Sequence, residues 1–205
     1  MLSSISPLGE RARRQRYSTT AAAYLLASIA GGASIGTVAG TLGRIIRVGT
    51  RPSDALLAAL VAAACILATV LDLWSRRLRL PTVRRQVNED WLVRYRGWVY
   101  GGAFGFQLGL GIVTIVTTAA VYTVLVVSAL VGSITLGAIV GAAFGLARAL
   151  PLLLVARVRD AGELRSLHRR LQSWARPVQT ITVGSLATAA VVAGVLATRE
   201  LSWLA

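Results

Sequence analysis

Lysine is absent from this chain of 205 residues: all 22 basic residues are arginine, a bias of composition that assigns no mechanism by itself. The single cysteine, Cys65, excludes an internal disulfide and a paired CxxC thiol site. The single histidine, His168, has no nearby cysteine or paired acid, which argues against a metal site. No nucleophile–base pair, metal-ligand spacing, Walker loop or dinucleotide fingerprint occurs. The expectation is a protein that is not an enzyme and carries no cofactor. The first apolar run is also too long for a cleaved leader, so no removed signal is expected.

What the chain has in excess is apolar surface and glycine. It is 55% hydrophobic, with a mean hydropathy of +0.66, above the roughly 45–50% usual for soluble domains. Three apolar stretches carry a glycine every fourth residue: Gly32, Gly36 and Gly40; Gly97, Gly101, Gly105 and Gly109; Gly137, Gly141 and Gly145. Four residues is close to one helical turn, so each set forms one stripe without side chains. In water that much glycine weakens a helix by about 1 kcal/mol per residue against alanine. In lipid, where the backbone must satisfy its own hydrogen bonds, such ridges let helices approach and pack by dispersion. The expected fold is all-α: a single integral membrane domain, a polytopic bundle of about five transmembrane helices with two cytoplasmic amphipathic surface helices.

The spans are expected at about 19–44, 54–74, 97–130, 133–155 and 178–198. Ser53 or Asp54 can cap the second. The third has 34 residues, roughly 50 Å of helix against a hydrocarbon core of roughly 30 Å, so it must tilt, project or break at its glycines. Gly31-Gly32 is an expected weak point in the first. With the N-terminus inside, segments 1–18, 75–96 and 156–177 hold 17 arginines, and the outside holds four. That bias predicts a cell inner (plasma) membrane protein with a cytoplasmic N-terminus and an outer C-terminus. Trp74, Trp98 and Trp174 at the inner boundary, and Trp203 near the outer one, read as an aromatic belt. The net charge of +14 lies between apolar spans and points to lipid head groups, with no nucleic acid expected.

From Asp160, the residues Leu164, Leu167, Leu171 and Trp174 recur at helical spacing, with Arg165, His168, Arg169 and Arg170 on other faces. Asp160 and Glu163 are spaced as a capping box. Segment 82–96 repeats the pattern with Val83, Val87 and Trp91, plus the ion-pair spacings Arg85/Glu89 and Asp90/Arg94. Both helices are expected to lie on the inner surface.

A charge inside a span is costly, which makes Arg148 the leading functional candidate. Gln107 lies at a similar depth on the neighbouring span. Arg148, Gln107 and Tyr100 are expected to form a polar cluster facing the bundle interior, and with Thr114 they make up the expected substrate-binding set. Pro151 loosens the backbone nearby. Asp72 is within reach of Arg76 at i+4, and Cys65 reads as a small core residue.

The stretch Phe104–Leu154, with its glycine-rich broken helix, a second helix after a short turn and a Gly-Leu…Leu-Pro-Leu-Leu ending, resembles the second half of the cytochrome c biogenesis and thiol-disulfide interchange membrane family (CcdA- and DsbD-like). That resemblance implies an architecture similar to inverted-repeat transporters. The family's Pro-Cys positions read Gly111-Ile112-Val113-Thr114 and Gly31-Gly32-Ala33-Ser34 here, so thiol redox chemistry does not carry over. Two functions remain open. One is a small-solute carrier using the broken third helix, the Gln107/Arg148 level and a break at Gly31–Ser34. The alternative is a non-catalytic membrane subunit or assembly factor whose glycine faces bind other subunits or a second copy.

Overall fold

Apolar residues at helical spacing, with no period-two alternation, produce helices and nothing else among the described residues. The computed structural model describes residues 5–74, 91–111, 120–156, 158 and 160–202. In chain order the helices are α1 (Pro7–Ala12), α2 (Tyr17–Thr50), α3 (Asp54–Trp74), α4 (Trp91–Arg94), α5 (Gly97–Leu110), α6 (Ala120–Val131), α7 (Ile134–Ala149), α8 (Pro151–Val155) and α9 (Ala161–Ser202). Among the described residues four stretches are long and apolar enough to cross a membrane: α2, α3, the α7–α8 run over Ile134–Val155, and Gly162–Arg199 of α9.

Local chemistry sets several boundaries. Ser53 Oγ accepts from the Leu56 amide at 3.2 Å and Asp160 Oδ1 from the Glu163 amide at 2.8 Å, so Ser53 and Asp160 each cap the helix that follows. Pro151 interrupts the helical bonding between α7 and α8, yet Leu150 keeps helical angles, so the axis continues. The expected third span contains two shorter helices. α5 stops because Gly111 turns left-handed, at φ +74°, while its amide bonds the Leu108 carbonyl at 3.1 Å. Residues 112–119, with Thr114, Thr117 and Thr118, lie outside the described residues.

Two expectations are corrected. The break at Gly31–Ser34 does not occur: α2 runs unbroken through it, because these residues pack against neighbouring backbone and Ser34 Oγ bonds the Ala30 carbonyl at 2.8 Å. The surface helix from Asp160 and the fifth span are likewise one helix, α9, with Pro177 inside it. At 1.5 Å per residue its 42 residues extend about 63 Å, twice the hydrocarbon core, so part of it projects beyond the lipid of any single crossing. Of segment 82–96 only α4 and its flank are described; Val83, Val87, Arg85, Glu89, Asp90 and Arg76 lie outside the described residues.

The chain divides into two compact units, the first drawn from Met1–Ser34, Val83–Ile115 and Gly141–Ala175. Here α2 is the common partner of α5 and α7. A Cβ added at Gly101 would come within 2.7 Å of the Thr20 carbonyl oxygen, and at Gly105 or Gly109 it would overlap the carbonyls of Tyr24 and Ser28. On α7, Gly145 faces the Ser28 carbonyl, and Gly32 faces the backbone of Gly141 and Gly145. Ser28 Oγ donates to the Gly145 carbonyl at 2.8 Å, locking the register. Ile5, Ala21, Tyr24, Tyr100, Phe104, Ala149 and Leu152 form the apolar core beside this contact.

The second unit takes Ile35–Thr82, Val116–Val140 and Arg176–Ala205. Gly137 faces the Gly36 carbonyl, Gly43 faces Ala129, and a Cβ on Gly40 would lie 2.5 Å from the Ser133 carbonyl. The α6–α7 turn is made by Gly132, at φ +62°, against Arg47, whose Nη1 donates to the Val131 carbonyl at 2.6 Å. On α3 the inward residues are small (Ala55, Ala62, Cys65, Ala68), whereas Leu56, Ile66, Leu67 and Leu73 face out. α9 repeats this, with Ala190, Ala193 and Ala197 inward and Val191, Val192 and Leu196 outward. Small residues inside and large aliphatic ones outside is the pattern of a helix surrounded by lipid.

Candidate functional site

Arg148 sits on α7, half-buried, in the first unit. Its Nη1 donates to the Gly111 carbonyl at 3.5 Å, the long end of hydrogen-bond range, and its guanidinium carbon lies 5.5 Å from the centre of the Phe144 ring. The last carbonyls of a helix carry partial negative charge, so Arg148 complements the C-terminal end of α5 where Gly111 stops it. The structure thus places Arg148, the arginine of an apolar run, at the C-terminal end of α5. Gln107 is half-buried on α5, and no hydrogen bond among the described residues joins it to Arg148 or Tyr100.

Tyr100 belongs to a different polar centre. Fully buried, it donates its hydroxyl to Glu10 Oε1 in a short hydrogen bond. The same oxygen accepts from Arg13 Nη2 at 2.8 Å, and Glu10 Oε2 accepts from Thr20 Oγ1 at 2.8 Å. The Arg13 guanidinium also lies 5.6 Å from the centre of the Tyr100 ring. Burial acts to lower the Arg13 pKa, but the hydrogen bond it donates to Glu10 and the neighbouring charge outweigh it and leave the group raised. Gln15 Oε1 accepts the Gly97 amide at 3.3 Å, completing the join between the N-terminal segment and the start of α5.

Of this centre the sequence pointed to Tyr100 alone; Glu10, Arg13 and Thr20 were passed over. Its signals were present: Ser6 followed by Pro7 is a helix start, with Ser6 Oγ capping the Gly9 amide at 3.1 Å, and Glu10 is the first acid in the chain and the last before Asp54. In the second unit, Cys65 is buried as expected, and the Asp72 carbonyl accepts from Gln179 Nε2 at 3.0 Å, tying α3 to α9. Between these two helices lies an open groove of about 730 Å³, lined by Val61, Ser185, Thr188, Val192 and Leu196 among others. Among the described residues no three His, Cys, Asp or Glu side chains converge as metal ligands.

These features define a helical membrane protein with small-residue interiors and polar groups fastened to its own backbone. The chain is similar to two curated proteins. It is 30% identical over 150 residues to the methylamine utilization protein MauF of Methylorubrum extorquens, covering 72% of this chain and 52% of that protein. It is 37% identical over 76 residues to the methylamine utilization protein MauF of Paracoccus versutus, covering 37% of this chain and 28% of that protein. The chain therefore spans about half the length, or less, of the curated relatives it matches. No protein family and no solved structure matches it.

Proposed function

We propose that the chain is a non-catalytic membrane subunit or assembly factor serving methylamine utilization. The observation that carries this reading is the similarity to MauF across 72% of the chain. The packing supports it: the polar groups Glu10, Tyr100, Ser28 and Gln179 each bond to the chain itself, which suits a scaffold. In this reading α5 and α6 together make a further crossing, for five in all, and the start of α9 rests on the cytoplasmic surface. The N-terminus is cytoplasmic and the C-terminus outside, in the inner membrane, following the arginine distribution. The resemblance to the cytochrome c biogenesis family is then one of architecture without thiol exchange, since Cys65 has no second cysteine. The test is to delete the coding gene in its host and to purify the tagged full chain from mild detergent. The reading expects lost growth on methylamine and a stoichiometric co-purifying membrane partner; unimpaired growth with a solitary protein would overturn it.

A second reading, a small-solute carrier, is favoured by one observation: Arg148 stands at the interrupted end of α5, where a cation and a terminal carbonyl meet inside an apolar run. It expects substrate-dependent flux in reconstituted liposomes, and no flux across a broad anion and metal panel would remove it.

A further inference from the structure

We propose that the join between the N-terminal turn and the start of α5 binds the phosphate head group of an anionic phospholipid. The placement comes from fastenings already described. Gln15 holds the Gly97 amide, so Arg14 and Arg16 flank this contact on one segment and Arg96 and Trp98 flank it on the other. All four are exposed, and so is Tyr95 beside Arg96. Arg13, in the same run, is turned inward onto Glu10. Glu10, the single acid before Asp54, is fully buried, so its carboxyl does not face this surface.

The backbone carries a further sign. Arg14 has φ +55°, in the left-handed region that residues other than glycine, asparagine and aspartate seldom enter. The turn reverses the chain from α1 into α2 and leaves the Arg14 side chain in solvent while its neighbours on both sides fasten inward through Glu10 and Gln15. Guanidinium groups form forked hydrogen bonds to phosphate oxygens, and an exposed tryptophan beside them suits the head-group level, where one face is apolar and the other wet. A phospholipid satisfies both halves of this surface; a free phosphate engages only the arginines. The inference stands apart from the assembly reading and rests only on the chain being lipid-embedded.

The test uses the full chain in neutral detergent, offered equimolar phosphatidylglycerol and phosphatidylcholine and read by native mass spectrometry. Wild type is expected to retain phosphatidylglycerol preferentially, and the R14N/R16Q/R96Q variant to lose about fivefold in that preference for each arginine removed. Arg14→Asn alone suits the left-handed turn, so its share of the loss reads lipid contact and not unfolding. Replacing Arg44 and Arg51 is expected to leave the preference intact. Equal retention of both lipids by wild type, or an undiminished preference in the triple variant, would overturn the proposal. Complete displacement of the lipid by millimolar inorganic phosphate would assign the site to free phosphate and overturn it too; retained lipid supports it. None of these results bears on growth or on a co-purifying protein, so this inference and the assembly reading fail separately.

Discussion

Glu10 receives three donors in a fully buried position, and each is a residue whose loss is measurable. Removing the Tyr100 hydroxyl takes one of two donors from Glu10 Oε1 and leaves Arg13 as the other, so Tyr100→Phe is expected to destabilise the full chain in detergent by about 1 kcal/mol, the net worth of one hydrogen bond. Thermal unfolding of the two proteins side by side checks this, and coincident curves would show that the contact contributes nothing. The contrast with Arg148 explains what a sequence reveals at this scale. A charge within an apolar run stands out because lipid penalises it, so Arg148 was legible from position alone. Glu10 lies in a basic, polar flank where an acid is unremarkable; only the fold, by carrying α1 against α5, makes it a buried centre. Tyr100 was expected beside Gln107 and Arg148, whereas its hydroxyl bonds Glu10, because helical depth ranks residues along an axis and says nothing about the direction each faces.

Among the elements, the places where glycine is needed for its backbone are few. Gly111 and Gly132 hold φ of +74° and +62°, so a Cβ there is strained whatever the space around it. Gly111→Ala and Gly132→Ala are each expected to lower stability by about 1–2 kcal/mol. A Cβ on Gly132 would also press within 2.6 Å of Arg47 Cδ. Equal melting temperatures for wild type and both variants would contradict the turn geometry. The interruption after Leu110 was foreseeable, because 34 apolar residues exceed the bilayer and glycine marks the weak position. The same logic failed at Gly31–Ser34: propensity counts the cost of glycine in an isolated helix, whereas α2 recovers it through close contact with α5 and α7. The separation expected between the surface helix reaching Trp174 and the span at 178–198 failed too, since the structure continues α9 through both, with Pro177 inside it.

At the scale of the whole molecule, the helical class and the membrane character were legible because both follow from composition and period, which need no tertiary information. The two compact units, the joining of α9 and the fastening of the N-terminal segment were not, since they depend on contacts between residues far apart in sequence. Orientation makes its own prediction. In a Cys65→Ser background, S166C is expected to react with a membrane-impermeant maleimide only from the cytoplasmic side and T198C only from the outside; labelling of both from one side would refute the arginine-based topology. The central claim is that these helices meet backbone to backbone through glycine ridges inside the bilayer. The most direct measurement compares unfolding in detergent of two pairs of substitutions. Gly105→Ala and Gly145→Ala, where a methyl would overlap the Tyr24 and Ser28 carbonyls, are expected to lose about 2 kcal/mol each, while Gly102→Ala and Gly184→Ala, which meet nothing within 4 Å, are expected to be neutral or slightly stabilising. Indistinguishable effects from the two pairs would contradict the account.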